Sequence, residues 1–171
     1  MPARLPFRSF LAAVLAAGSA AFLAQVVTIA NLDPAHPVSV SLALADWAYD
    51  EDGAPVFTPA GESDSSAAAW TRYRAPTVSL APGQSKQVVI NLSTPEPLVR
   101  TGDYRVALLA SSVMKDEAGH WQKHRIASLF SLTAGKARSY PKIMASRLTV
   151  TASGDPAIGL DLANTGNAHA R

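Results

Sequence analysis

The sequence predicts an all-β domain of the sandwich or barrel type rather than an α/β enzyme. Three observations carry this. Apolar residues recur at every second position in short runs. Gly- and Pro-bearing turns separate those runs about every ten residues. Prolines close strands where a ladder must end, because they cannot donate to it. The stretch from Ala75 to Leu109 shows all three: strand, Leu80-Ala81-Pro82-Gly83 turn, alternating strand, Pro95 and Pro97 corner, and a new strand at Tyr104.

The elements follow in order. Gln25 to Asn31 reads as a strand closed by Asn31-Leu32-Asp33-Pro34. Pro37 opens the next, where Val38, Val40, Leu42 and Leu44 share the inner face. Trp47 and Tyr49 then fall on the opposite face unless a bulge resets the register. Asp50-Glu51-Asp52-Gly53 is a hairpin turn, and Val56-Phe57 is a short edge strand. Ala60 to Ala69 is small and polar, a loop or a lax turn of helix. Ala67 to Arg74 is readable as strand or helix. In Lys86 to Leu92, Val88, Ile90 and Leu92 share one face. Tyr104 to Met114 is a long strand that turns around Gly119 and pairs back as Trp121 to Thr133.

Seven or eight strands between Gln25 and Thr133 fit one immunoglobulin-like β-sandwich, spanning 22–134. Residues 135–141 read as a linker with Gly135, Lys136, Arg138 and Pro141. Residues 142–171 hold two further strands, Ser146–Thr151 and Ile158–Ala163. Such a short segment cannot bury a sandwich core of its own. It is expected to be the start of a truncated second β domain or a tail lying on the first.

Residues 1–21 read as a signal peptide. Arg4 and Arg8 form a charged n-region, and the apolar run from Phe10 to Ala24 is short for a membrane anchor. Small residues place cleavage after Ala20 or Ala21. A misplaced start codon is the competing reading. Leu15 to Leu32 echoes Leu80 to Leu92, so the leader is also readable as a turn and strand. Export predicts a periplasmic or secreted protein whose only membrane contact is the export signal. There is no cysteine, so the fold stands on its core without a disulfide.

Thirteen of the fifteen Lys and Arg follow the leader and match the thirteen Asp and Glu, so the mature chain is neutral. A neutral chain lacks the basic footprint of a nucleic-acid binder. Between Gln25 and Thr71 stand seven acidic residues and no Lys or Arg. In a folded sandwich this asymmetry is expected to resolve as internal complementarity rather than a steering dipole.

The residues Val27 to Asn31, Val38 to Trp47, Phe57-Thr58-Pro59, Leu80 to Gly83, Val88 to Ile90, Pro95 and Gly102-Asp103-Tyr104 resemble the first domain of the periplasmic pilus-assembly chaperones. The wider resemblance is to exported PapD-like proteins. Asn164-Thr165-Gly166-Asn167 resembles the opening of their second domain. The resemblance implies that the last strand of the sandwich pairs with an incomplete partner, a β-augmentation. On that basis Arg125, Ile126, Ser128, Phe130 and Leu132 are the expected partner-binding residues, with Arg125 the nearest candidate for a carboxylate anchor. The first strand of those chaperones has no evident counterpart, because the leader occupies its place. That leaves a neighbour position open on the sheet edge.

No catalytic constellation appears. Ser63, Ser65 and Ser66 lack a nucleophile elbow. Asp50 to Gly53 lacks the spacing of a calcium loop. His120 and His124 are four apart without a third ligand nearby. Trp47, Trp70 and Trp121 read as packing residues rather than a sugar platform. The expected function is therefore a non-catalytic exported chaperone or scaffold. It binds other surface or pilus proteins by strand pairing, with no cofactor, metal, nucleic acid or small-molecule substrate. The alternative is a structural module of a larger surface or adhesive protein.

Overall fold

A computed structural model describes residues 22–115 and 118–169, together with the backbone of 11–14. Arg4, Arg8, Ala20 and Ala21, on which the leader and its cleavage site rest, lie outside the described residues. The strands are β1 (Leu11–Val14), β2 (Phe22–Ala30), β3 (Val38–Tyr49), β4 (Pro55–Pro59), β5 (Thr71–Tyr73), β6 (Thr77–Leu80), β7 (Ser85–Ser93), β8 (Gly102–Lys115), β9 (Trp121–Ala134), β10 (Pro141–Val150) and β11 (Pro156–Asn164). The ambiguous 67–74 segment resolves into a 3-10 turn at Ala68–Trp70 followed by β5.

Two sheets face each other. One runs β1-β9-β8-β3-β4, with β6 also on β3; the other runs β2-β7-β5. Val27, Ile29, Val40, Leu42, Val88, Ile90, Leu92, Val106, Phe130 and Leu132 form the core between them. The alternations read from β3 and β7 thus point inward. Trp47 lies on the other face of β3, in a smaller buried cluster with Ala45, Ala107 and Leu109.

One strand changes sheet. β5 pairs with β7, and β6 pairs with β3. The crossover runs through Ala75, which adopts φ 62°, and Pro76, whose carbonyl accepts the Leu42 amide at 2.7 Å. The expected turn at Ala81–Gln84 forms, with Gly83 at φ 68°. Asn31 clamps it by donating to the Ala81 and His36 carbonyls.

The expected vacancy of the first strand is corrected. β1 pairs in parallel with β9, from Leu11 opposite Phe130 to Val14 opposite Thr133. A short apolar run has no periodicity of its own, so this strand pairing is not visible in the sequence.

β10 and β11 form an antiparallel ribbon with a register shift between Ile143 and Ala145. It is longer than the two strands read from the sequence. The segment after it returns to the sandwich. Asn167 donates its side-chain amide to Thr101 and the Lys136 carbonyl, and its side-chain oxygen accepts the Arg138 amide at 2.8 Å. Its backbone carbonyl accepts the Asp103 amide at 3.0 Å.

Candidate functional site

The candidate site is the outer edge of β9. The strand pairs with β8 without a break in register, from Gly102 opposite Ala134 to Lys115 opposite Trp121. Its other side is covered by β1 only at Phe130–Thr133. From Lys123 to Leu129 no other strand pairs with that side among the described residues. Seven residues of extended strand give about 20 Å of edge.

Side chains alternate across this stretch. Ile126, Ser128, Phe130 and Leu132 face inward. Ser128, Phe130 and Leu132 are buried and Ile126 is half-buried. Phe130 and Leu132 belong to the core itself. Lys123, Arg125, Ala127 and Leu129 take the outer face. Lys123 and Arg125 are exposed, while Ala127 and Leu129 pack against the Trp47 cluster. Of the five expected contact residues, therefore, only Arg125 presents its side chain outside the sandwich.

The direction of the backbone groups follows from one observation. The Arg105 amide donates to the Ser65 carbonyl, and the Arg105 carbonyl accepts the Ala67 amide. Both groups of Arg105 thus point away from β9. In an antiparallel ladder, residues directly opposite alternate between bonded and non-bonded pairs. Arg105 opposite Ser131 is a non-bonded pair, so Val106 opposite Phe130 is a bonded one. Continuing in unbroken register, Ile126 and Ser128 spend their N–H and C=O groups on β8. Lys123, Arg125, Ala127 and Leu129 aim theirs at the open edge. The same four residues carry the outer-face side chains and the available backbone groups.

The edge is held from behind. The Trp47 indole N–H donates to the Phe130 carbonyl at 3.1 Å. The Arg105 guanidinium lies over the same ring, 5.2 Å from its centroid. The loop that occupies the far side of Arg105 is fixed by Asp46, which is only 1% exposed. Asp46 accepts from the Gly61 and Ser63 amides and from the Ser66 hydroxyl. Sequence reasoning missed Asp46, Lys123, Ala127 and Leu129. The strand alternation could have found the last three, had the edge side been known.

A second polar feature lies at the elbow to β10. Asp103 accepts from Thr133 Oγ1 at 2.6 Å and contacts His169 Nδ1 at 2.8 Å. Burial pushes the Asp103 carboxyl upward. Its hydrogen bonds from Thr133 and His169 outweigh that and hold it below the ordinary carboxylate value.

No protein-family model matches the sequence, and no curated protein matches it. Solved structures do match in fold. A chain of the CsuC–CsuE chaperone–tip adhesion subunit pre-assembly complex, from the archaic chaperone-usher Csu pili of Acinetobacter baumannii, aligns with TM-score 0.50 and 12% identity. That alignment covers 90% of this chain and 68% of that one. The class 5 fimbriae chaperone CfaA aligns with TM-score 0.49 and 12% identity, over 91% of this chain and 64% of that one. A chain of the Salmonella enterica SafA pilin–SafB chaperone complex aligns with TM-score 0.44 and 14% identity, over 88% and 75%. The chain spans somewhat under two thirds of the length of CfaA. The fold is thus an immunoglobulin-like β-sandwich of the PapD-like kind. The chain resembles the fimbrial chaperones in architecture.

Proposed function

We propose that this chain is a non-catalytic, exported protein that holds another exported or surface protein by strand pairing, in the manner of a chaperone or scaffold. The observation that carries the reading is the division of labour along β9. Alternate residues weld the strand to β8 and the core, and the intervening ones offer backbone donors and acceptors at Lys123–Leu129. An edge of that kind is a template for an added strand. The PapD-like fold supports the reading. The protein works in the periplasm or outside the cell, with other surface proteins as partners.

A second reading has its own support. One face of the β10–β11 ribbon carries Ile143, Leu148, Val150, Ile158, Leu160 and Leu162, all at least half exposed. Such a face suits a module that packs against further protein in a larger surface assembly.

The deciding experiment is capture from an envelope extract by the purified chain and by Ala127→Pro. Proline at 127 removes an edge-pointing amide and leaves the β8 ladder intact. Loss of capture by a variant that melts like its parent supports strand pairing. Undiminished capture overturns it.

A further inference from the structure

The chemistry of the partner strand can be read from the outer face of β9. An added strand places each residue directly opposite one of β9, with both side chains on the same face. On the outer face the sequence of neighbours is Lys123, Arg125, Ala127, Leu129. Neither cation makes an ion pair among the described residues. Across the β8 ladder they face Ser111 and Val113, neither of which carries a charge. β9 itself contains no Asp or Glu. Beyond Arg125 the face turns apolar, where Ala127 and Leu129 adjoin Trp47 and Leu109.

We infer that the strand accepted at Lys123–Leu129 carries carboxylate side chains at two alternate positions, facing Lys123 and Arg125, followed at the next two alternate positions by apolar side chains facing Ala127 and Leu129. The inference rests on the strand-pairing reading and deepens it. Same-face neighbours on any strand are separated by the same two-residue rise, so the pattern runs from acidic to apolar in a parallel strand and from apolar to acidic in an antiparallel one. Opposite charges directly across a ladder stabilise pairing, and like charges oppose it. An acidic-then-apolar strand is selected, and a basic one is rejected at the same edge.

Fluorescein-labelled heptapeptides of both directions test this by anisotropy at low salt: Glu-Thr-Glu-Thr-Val-Thr-Val and its reverse Val-Thr-Val-Thr-Glu-Thr-Glu, each as it stands, with Gln for both Glu, and with Lys for both. The Glu peptide is expected to bind about tenfold more tightly than the Gln peptide, the sum of two cross-strand charge pairs. Its advantage should shrink as salt is raised. In the doubly reversed variant, Lys123→Glu with Arg125→Glu, preference should pass to the Lys peptide. Both positions are exposed, so the variant should melt like its parent. If Glu and Gln peptides bind equally and both are lost in Ala127→Pro, the charge inference is wrong and strand pairing stands. If no peptide binds and Ala127→Pro leaves capture from extract intact, both are wrong. If no peptide binds but Ala127→Pro does abolish capture, pairing stands and the acidic-then-apolar pattern is overturned.

Discussion

Asp103 and His169 are 66 residues apart in the chain and meet at 2.8 Å, carboxylate oxygen to ring Nδ1. The backbone amide of His169 also donates to the same carboxylate oxygen. This contact ties the segment after β11 to the start of β8. The Asp103 carboxyl is held below its ordinary value of 3.8. A carboxyl lowered in the folded state contributes stability that is complete above 3.8 and is lost as pH falls through the folded value. The docked segment should therefore loosen in acid below that range. Limited proteolysis of residues 164–169 across a pH series checks it. Asp103→Asn should already be cleaved faster at neutral pH and show no further acid step of this origin.

Gly102 supports the same docking through its backbone. Its φ is 128°, and a Cβ there would run into the Asn167 carbonyl. Gly102→Ala should expel Asn167 from its seat and raise cleavage near the β10–β11 ribbon. The sandwich core should stay folded, as judged by its circular dichroism.

Asp46→Ala should destabilise the sandwich by about 2 kcal/mol, because it removes a buried carboxylate that accepts three part-buried hydrogen bonds. Ser66→Ala removes only one of the three and should cost about 1 kcal/mol. Urea unfolding of both variants measures the difference.

Phe130→Ala should behave as a core deletion, costing about 3–5 kcal/mol. Lys123→Ala and Arg125→Ala should leave the urea midpoint within about 0.5 kcal/mol of the parent. A Phe130→Ala protein that keeps its stability and loses only partner capture would show that its side chain serves the partner instead.

Proline scanning along β9 should alternate. Ser128→Pro removes an amide that bonds to β8 and should unfold the domain. Ala127→Pro removes one aimed at the open edge and should not. Thermal melts of the two neighbours give the comparison directly.

Much of this architecture was legible in the residues. Val40 and Leu42 on β3, and Val88, Ile90 and Leu92 on β7, alternate because one side of each strand is buried. The turn at Ala81–Gln84 was announced by Pro82 and Gly83. The available side of β9 was not legible. It depends on which neighbour takes the other side of Arg105, and that neighbour is Ser65–Ala67, a small polar stretch without strand signals. Phe130 and Leu132 read as partner contacts in the sequence, because apolar alternation looks the same whether the core beneath it belongs to this chain or to another. β1 was hidden for a related reason, since its four residues carry no pattern beyond hydropathy. Asn167 stands out in the sequence only within the Asn164–Asn167 resemblance; its docking role is set by the Gly102 backbone and the carbonyls of Thr101 and Lys136 around it.

The parity of β9 separates the residues that hold the fold from those that face the open edge. If strand pairing at this edge is the function, Lys123 and Arg125 are free to vary with the partner while the even positions keep the domain intact. Under that reading, retargeting falls to the exposed Lys123 and Arg125, because Ala127 and Leu129 also pack against the Trp47 cluster. Because the chain contains no cysteine, a single Cys introduced at an odd position would report occupancy of the edge without interference.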